Sequence, residues 1–271
     1  MPIAEVNGQR IAYQDTGGDG PVVMFAHGLL MDRTMFDGQV AGLRDSYRCI
    51  AWDARGHGET GPVAEPWTFW DSARDQLALG EHLGVERAFL AGMSMGGFTD
   101  LRCALLRPDF VRGLVLIDTQ AGQEDPDLVP QYQAMADVWS EHGLSDELAE
   151  MVAAIMLSPG APSNPEWIAK WKALPLEHMQ VPLQALFERE DIHDRLEEIT
   201  APALVIHGGV DAAIPLEKAQ RLADGLPNCE GVVIVAGGGH AACTSHPEPV
   251  NAAMLDFLAR HSAVTSGAAA S

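Results

Sequence analysis

Six short apolar runs recur along the chain, each closing on or near Gly, Asp or His, with helix-compatible segments between them. They are Val22 to Ala26, Cys49 to Trp52, Ala88 to Ala91, Leu114 to Ile117, Ala203 to Ile206 and Val232 to Val235. Runs this short and this continuous in Val, Ile, Leu and Ala read as strands covered on both faces. Strands alternating with helices predict an α/β fold, a mostly parallel twisted sheet flanked by helices. Asn7-Gly8, set between two shorter runs in Ala4 to Tyr13, predicts an antiparallel hairpin at the sheet edge.

The rhythm changes between Thr119 and about Arg195, where no buried strand pattern appears. Tyr132, Met135, Ala136 and Trp139 fall at helical spacing, as do Leu148, Met151, Val152, Ile155 and Met156. A Pro/Gly/Ser-rich break, Ser158 to Pro165, precedes a third helix around Trp167 to Leu174. This pattern predicts a core of residues 1–120 and 196–262, with a helical cap at 121–195 inserted after the strand ending at Ile117. The Ala/Ser/Gly-rich tail, 263–271, is expected to be disordered.

A chain of 271 residues can bury a sizeable core, and no unbroken apolar run reaches membrane length. The first residues lack a basic segment followed by an apolar one, so no signal peptide is expected. Cys49, Cys103, Cys229 and Cys243 are scattered without Cys-x-x-Cys spacing, which suits a reducing cytoplasm. A formal net charge of −21 argues against nucleic acid or an anionic membrane as partner. Monomer and homodimer both remain open.

Gly92-Met93-Ser94-Met95-Gly96 directly follows the run Ala88 to Ala91 and precedes a helix-compatible stretch, Gly97 to Leu106. A serine on so sharp a strand-to-helix turn leaves no room for side chains two residues either way, and glycines remove them. A serine hydroxyl needs a base, and the base needs a third group to hold it. Asp211, in the loop after Ala203 to Ile206, and His240, after Val232 to Val235, supply both in the order Ser, Asp, His. Asp118 is a second candidate acid, closing an earlier strand, and His246 is a weaker candidate base at the start of the next helix. His27-Gly28-Leu29-Leu30 follows the strand Val22 to Ala26, so the N–H groups of Leu29 and Met95 are the candidate oxyanion donors.

Together these segments resemble the α/β-hydrolase family over roughly Val6 to Arg260. The resemblance is carried by His27-Gly28, Asp53-Ala54-Arg55-Gly56-His57-Gly58, the elbow Gly92 to Gly97, Gly208-Gly209-Val210-Asp211 and Gly239-His240. The His-Gly-Leu, Arg-Gly-His-Gly and Ser-Met-Gly-Gly words are similar to those of 3-oxoadipate enol-lactonases and small bacterial esterases. The resemblance implies a serine hydrolase of carboxylic esters or lactones of small molecules, working through an acyl-enzyme. Asp53, Arg55, His57 and His27 are expected to brace their turns.

Among the cap residues, Trp139, Met151 and Met135 are the candidate substrate contacts. Met156, Trp167, Trp171 and Met179 are further apolar side chains whose first use is burying the cap's own underside. No His-x-x-x-His pair with helical carboxylates and no Gly-x-Gly-x-x-Gly after the first strand appear, so neither metal nor dinucleotide is expected. Three alternatives keep the same triad: a cofactor-free haloperoxidase or perhydrolase, a carbon–carbon bond hydrolase, and a receptor-like ligand-binding protein with slow turnover. The first typically carries Pro where this chain has Leu30.

Overall fold

Asn7 and Gly8 both take positive φ, 47° and 73°, and turn the chain between β1 (Ile3–Val6) and β2 (Gln9–Asp15), which pair antiparallel. The computed structural model describes residues 1–174 and 180–262. Six further strands follow: β3 (Val22–Ala26), β4 (Arg48–Trp52), β5 (Ala88–Met93), β6 (Val111–Ile117), β7 (Ala203–Gly208) and β8 (Cys229–Val235). They form one eight-stranded sheet in the order β1-β2-β4-β3-β5-β6-β7-β8, parallel from β4 onward. The strand carrying the elbow, β5, therefore lies near the middle of the sheet. The three loops that matter for chemistry leave its carboxyl edge.

Helices α1 (Asp37–Leu43), α2 (Phe69–His82) and α3 (Met95–Leu106) cross between the early strands. Thr68 and Asp71 form a reciprocal capping box that starts α2. Between β6 and β7 the described residues carry α4 (Val129–His142), α5 (Asp146–Met156), α6 (Asn164–Ala173) and α7 (Gln180–Phe187), and no strand. Ser145 caps α5 by accepting from Leu148 N, and Gly143 at φ 78° ends α4. The C-terminal part adds α8 (Leu216–Gly225), α9 (Ala242–Ser245) and α10 (Pro247–Ser262). No described helix is long and apolar enough to cross a membrane.

One expectation needs correction, and one helix was not expected. The central strands β5 and β7 are buried along their whole length, but β8 is the sheet edge and leaves Val233 and Ile234 exposed at 37% and 47%. Its apolar run reflects strand propensity and not burial on two faces. Helix α7 carries no periodic signature of its own. It has eight residues with Pro182 near its start, too short for a repeat of the helical period to show. All four cysteines are free. Met179 and the tail 263–271 lie outside the described residues.

Candidate active site

Ser94 stands between β5 and α3 at φ 49° and ψ −112°, a conformation that costs about 1–3 kcal/mol and persists only if the surroundings enforce it. Here they do. Ser94 N donates to Ile117 O on the neighbouring strand (2.9 Å), and Thr119 Oγ1 donates to Ser94 O (2.8 Å). A Cβ at Gly92 would overlap the Asp100 carboxylate and the Gly96 backbone. One at Gly96 would overlap the Ala26 carbonyl oxygen. The turn is thus wedged between two strands, and only glycine fits two residues to either side of the serine.

The structure brings Ser94, His240 and Asp211 together. His240 Nε2 lies 3.0 Å from Ser94 Oγ, and His240 Nδ1 lies 2.9 Å from Asp211 Oδ2. All three side chains are buried, and Ser94 and His240 are only 6% and 2% exposed. Asp211 Oδ1 accepts from the N–H groups of Ala213 (2.8 Å) and Ile214 (2.9 Å). Burial works to raise the Asp211 carboxyl, but the charge and hydrogen bond of His240 and the Ile214 N–H outweigh it. The carboxyl sits below the ordinary carboxylate range and stays ionised. An anion there fixes the proton on His240 Nδ1 and leaves the Nε2 lone pair for the serine.

Asp118 does not share that position. Its oxygens accept from Gly208 N (2.6 Å) and Ala242 N (3.0 Å), so it ties the end of β7 to the segment just after His240. Burial and the neighbouring Asp211 charge push its carboxyl well above the ordinary range. Asp118, His207 and Asp211 have ligand atoms within 4.8 Å of one another. Both carboxylates, however, already hold the hydrogen bonds just given. His246 faces Ser245 Oγ (2.8 Å) and not the serine of the elbow.

His27 ties the loop that carries the candidate oxyanion donor Leu29 to the turn after β4. Its Nδ1–H donates to Gly28 O (2.7 Å), and its Nε2 accepts from Ala54 N (2.9 Å). Both bonds require the neutral ring, and burial lowers its pKa accordingly. A carbonyl and the next N–H point opposite ways in one planar peptide. Holding Gly28 O toward His27 therefore turns the Leu29 N–H away from it. Met95 N, at the first position of α3, is one of the N–H groups a helix leaves free. Asp53 accepts from Arg33 N and Glu59 N (2.8 Å each) and pairs with the Arg33 guanidinium, bracing the turn after β4.

A cavity of about 110 Å³ opens on Ser94 and His240. Tyr132, Met135, Ala136 and Trp139 of α4 line it along one helical stripe. Val152, Ile155 and Met156 of α5 and Leu183, Leu186 and Phe187 of α7 complete the apolar wall. Met151 is not part of it: its side chain is 55% exposed. At about 100° per residue it falls outside the stripe of Leu148, Val152, Ile155 and Met156, although its sequence spacing fits a broader helical pattern. Trp167 and Trp171 are buried away from the cavity, Trp171 completely. Among the described residues the one cation on the lining, Arg189, pairs with Glu124 (3.0 Å), donates to Gly122 O (2.9 Å) and lies over the Phe98 ring (4.5 Å).

Known proteins share the fold of this chain over most of its length. A protein-family model described as alpha/beta hydrolase fold matches residues 21–247. A protein of Stutzerimonas stutzeri provisionally named as carbamate hydrolase RutD is 27% identical over 89% of this chain and 92% of its own. Among solved structures, a thermophilic esterase from Thermogutta terrifontis superposes with a TM-score of 0.83 at 30% identity, covering 94% of this chain and 95% of that one. The enol-lactonase from Burkholderia xenovorans LB400 gives 0.85 at 26% identity, covering 95% and 100%.

Proposed function

Because this chain belongs to the alpha/beta hydrolase family, we propose that it is a serine hydrolase of neutral carboxylic esters or lactones, acting through an acyl-enzyme. One observation carries the reading: the unbroken line Asp211 Oδ2, His240 Nδ1, His240 Nε2, Ser94 Oγ at 2.9 and 3.0 Å, ending at the cavity. Ser94 Oγ attacks the carbonyl carbon as its proton passes to His240 Nε2. The carbonyl oxygen becomes an anion held by the N–H groups of Leu29 and Met95, each worth roughly 3–4 kcal/mol of barrier by comparison with single-donor losses elsewhere. His240 returns the proton to the leaving alkoxide, or to the ring oxygen of a lactone. It then takes a proton from the water that releases the acid.

The substrate class follows from the lining. The walls from α4, α5 and α7 are largely apolar, and Arg189 is already neutralised by Glu124. Such a cavity favours an uncharged acyl chain, and the formal charge of −21 disfavours an anion further. Trp139 and Met135 are the proposed substrate contacts, and 121–195 the proposed cap. Lactones belong in the assay because of the enol-lactonase relative. Against a perhydrolase stands the backbone of Leu30, at φ 62°. Proline, locked near −65°, cannot adopt it, so this loop is built differently from a Pro-bearing one.

The test is labelling. A fluorophosphonate should modify one residue, located by mass spectrometry in the Ser94 peptide. Ser94→Ala should lower kcat on small esters by on the order of 10⁴-fold or more with an unchanged fold. Adducts elsewhere, or near-normal turnover in Ser94→Ala, would overturn the mechanism.

A further inference from the structure

The helical segment between β6 and β7 is bonded to both loops that face Ser94, through two residues that do not line the cavity. The first is Ser158, just after α5 and 2% exposed. Its Oγ accepts the N–H of Gly239 at 2.7 Å, and Gly239 is the residue before His240. The same Oγ lies 2.5 Å from Ser245 Oγ in α9, so one hydroxyl holds both flanks of the base. The approach is close: a Cβ at Gly239 would meet Leu157 O at 2.6 Å and Ser158 Cα at 2.7 Å. The second residue is Trp171 in α6, fully buried. Its Nε1–H donates to Leu30 O at 2.7 Å. Leu30 is at φ 62°, a left-handed conformation leucine seldom adopts, and it directly follows the proposed oxyanion donor Leu29.

We infer that Ser158 and Trp171 are positioning residues, through which the inserted segment sets the placement of His240 and the direction of the Leu29 N–H. The imidazole direction depends on backbone torsions on either side of residue 240; Ser158 fixes Gly239 on one side and, on the other, bonds Ser245, whose Oγ donates to Ala241 O (3.4 Å). Trp171 holds the strained carbonyl that keeps residue 30 left-handed, and with it the peptide planes of the oxyanion loop. Catalytic groups displaced by even about 1 Å can lose roughly 10²-fold in rate. The segment therefore completes the catalytic geometry as well as walling the cavity.

This inference rests on the reaction proposed for Ser94, and its test separates the two. The readouts are kcat, KM, thermal midpoint and the rate of inactivation by a fluorophosphonate, which needs nucleophile, base and oxyanion donors but little of the acyl cavity. Ser158→Ala should lower kcat and inactivation rate by roughly 10–100-fold with KM within about twofold. Ser158→Thr, which keeps an oxygen, should recover most of the loss. Trp171→Phe, which keeps a ring without the N–H, should lower both rates by roughly 3–30-fold. Folded Ser158→Ala and Trp171→Phe proteins with wild-type kcat and inactivation rates would overturn the positioning role. Should Ser158→Ala not fold, Trp171→Phe decides by the same readouts. A wild-type enzyme that the fluorophosphonate does not label would instead overturn the Ser94 reaction itself.

Discussion

Asp118 and Asp211 bring carboxylate oxygens within 4.8 Å of each other, yet only Asp211 bonds the imidazole of His240. Asp118 turns both oxygens to backbone N–H groups, at Gly208 and Ala242. The two acids therefore answer to different measurements. Asp211→Asn keeps the shape and removes the charge, and can hold the wrong imidazole tautomer. It should lower kcat by roughly 10³–10⁴-fold with a smaller change in KM. Asp118→Asn sets an amide NH₂ against one of two N–H donors. It should lower stability by about 1–3 kcal/mol while kcat stays within about tenfold. Denaturant titration and steady-state kinetics on both variants check this, and the reverse pattern would move the acid to β6.

Cavity residues and surface residues of α4 and α5 should separate cleanly. Met156→Ala and Trp139→Ala enlarge the cavity and should shift the preferred acyl length of p-nitrophenyl esters upward by two or so carbons, at roughly 0.8 kcal/mol per buried methylene. Met151→Ala, on the exposed side, should leave both the preference and the thermal midpoint unchanged. An acyl profile that moves with Met151 and not with Met156 would place the substrate elsewhere.

Acid should weaken the fold through histidines that are buried neutral. Burial, then the adjacent His27, lowers the His57 pKa from 6.5 to about 3. Between those values the unfolded chain holds a proton that the folded one does not, so stability rises with pH across the window and is lost as pH falls. Asp118 acts in the opposite sense. Its raised pKa means that the folded state keeps a proton the unfolded chain releases above the ordinary carboxylate range. Comparing wild type with His57→Gln isolates the histidine. The stability difference should grow with pH from about 3 to about 6.5, by about 1.4 kcal/mol per pH unit. Parallel curves would mean that His57 is protonated in the folded protein.

The sheet was legible because buried parallel strands write themselves as unbroken apolar runs, and the elbow because its glycines answer a steric demand visible in five residues. Five of the six runs extend further in the structure, into residues such as Gly113 and His207 that pair in the sheet without being apolar. The cavity wall was only half legible. Tyr132, Met135, Ala136 and Trp139 share a face that periodicity reveals, but Leu183, Leu186 and Phe187 come from a helix too short to show one. Periodicity sets Met151 just beside the stripe that holds Met156, but spacing gives a face and not what packs against it. Ser158 and Trp171 left no trace of their partners. Their hydrogen bonds cross 81 and 141 residues of sequence, and nothing local in Ser-Pro-Gly or Trp-Lys-Ala announces them.

Any crossover between parallel neighbours needs a dozen or more residues, and here the described residues of the crossover from β6 to β7 carry four α-helices. Closing a longer loop adds little entropy, so the sheet tolerates great variation in that connection. Evolution and design could thus treat it as an exchangeable module, were it not for the bonds to Gly239 and Leu30. A transplanted crossover that brings a new cavity but no hydroxyl acceptor and no indole donor at those two points would leave the sheet intact and the catalyst out of tune. In this chain, altering substrate range by swapping the connection is bound to altering rate.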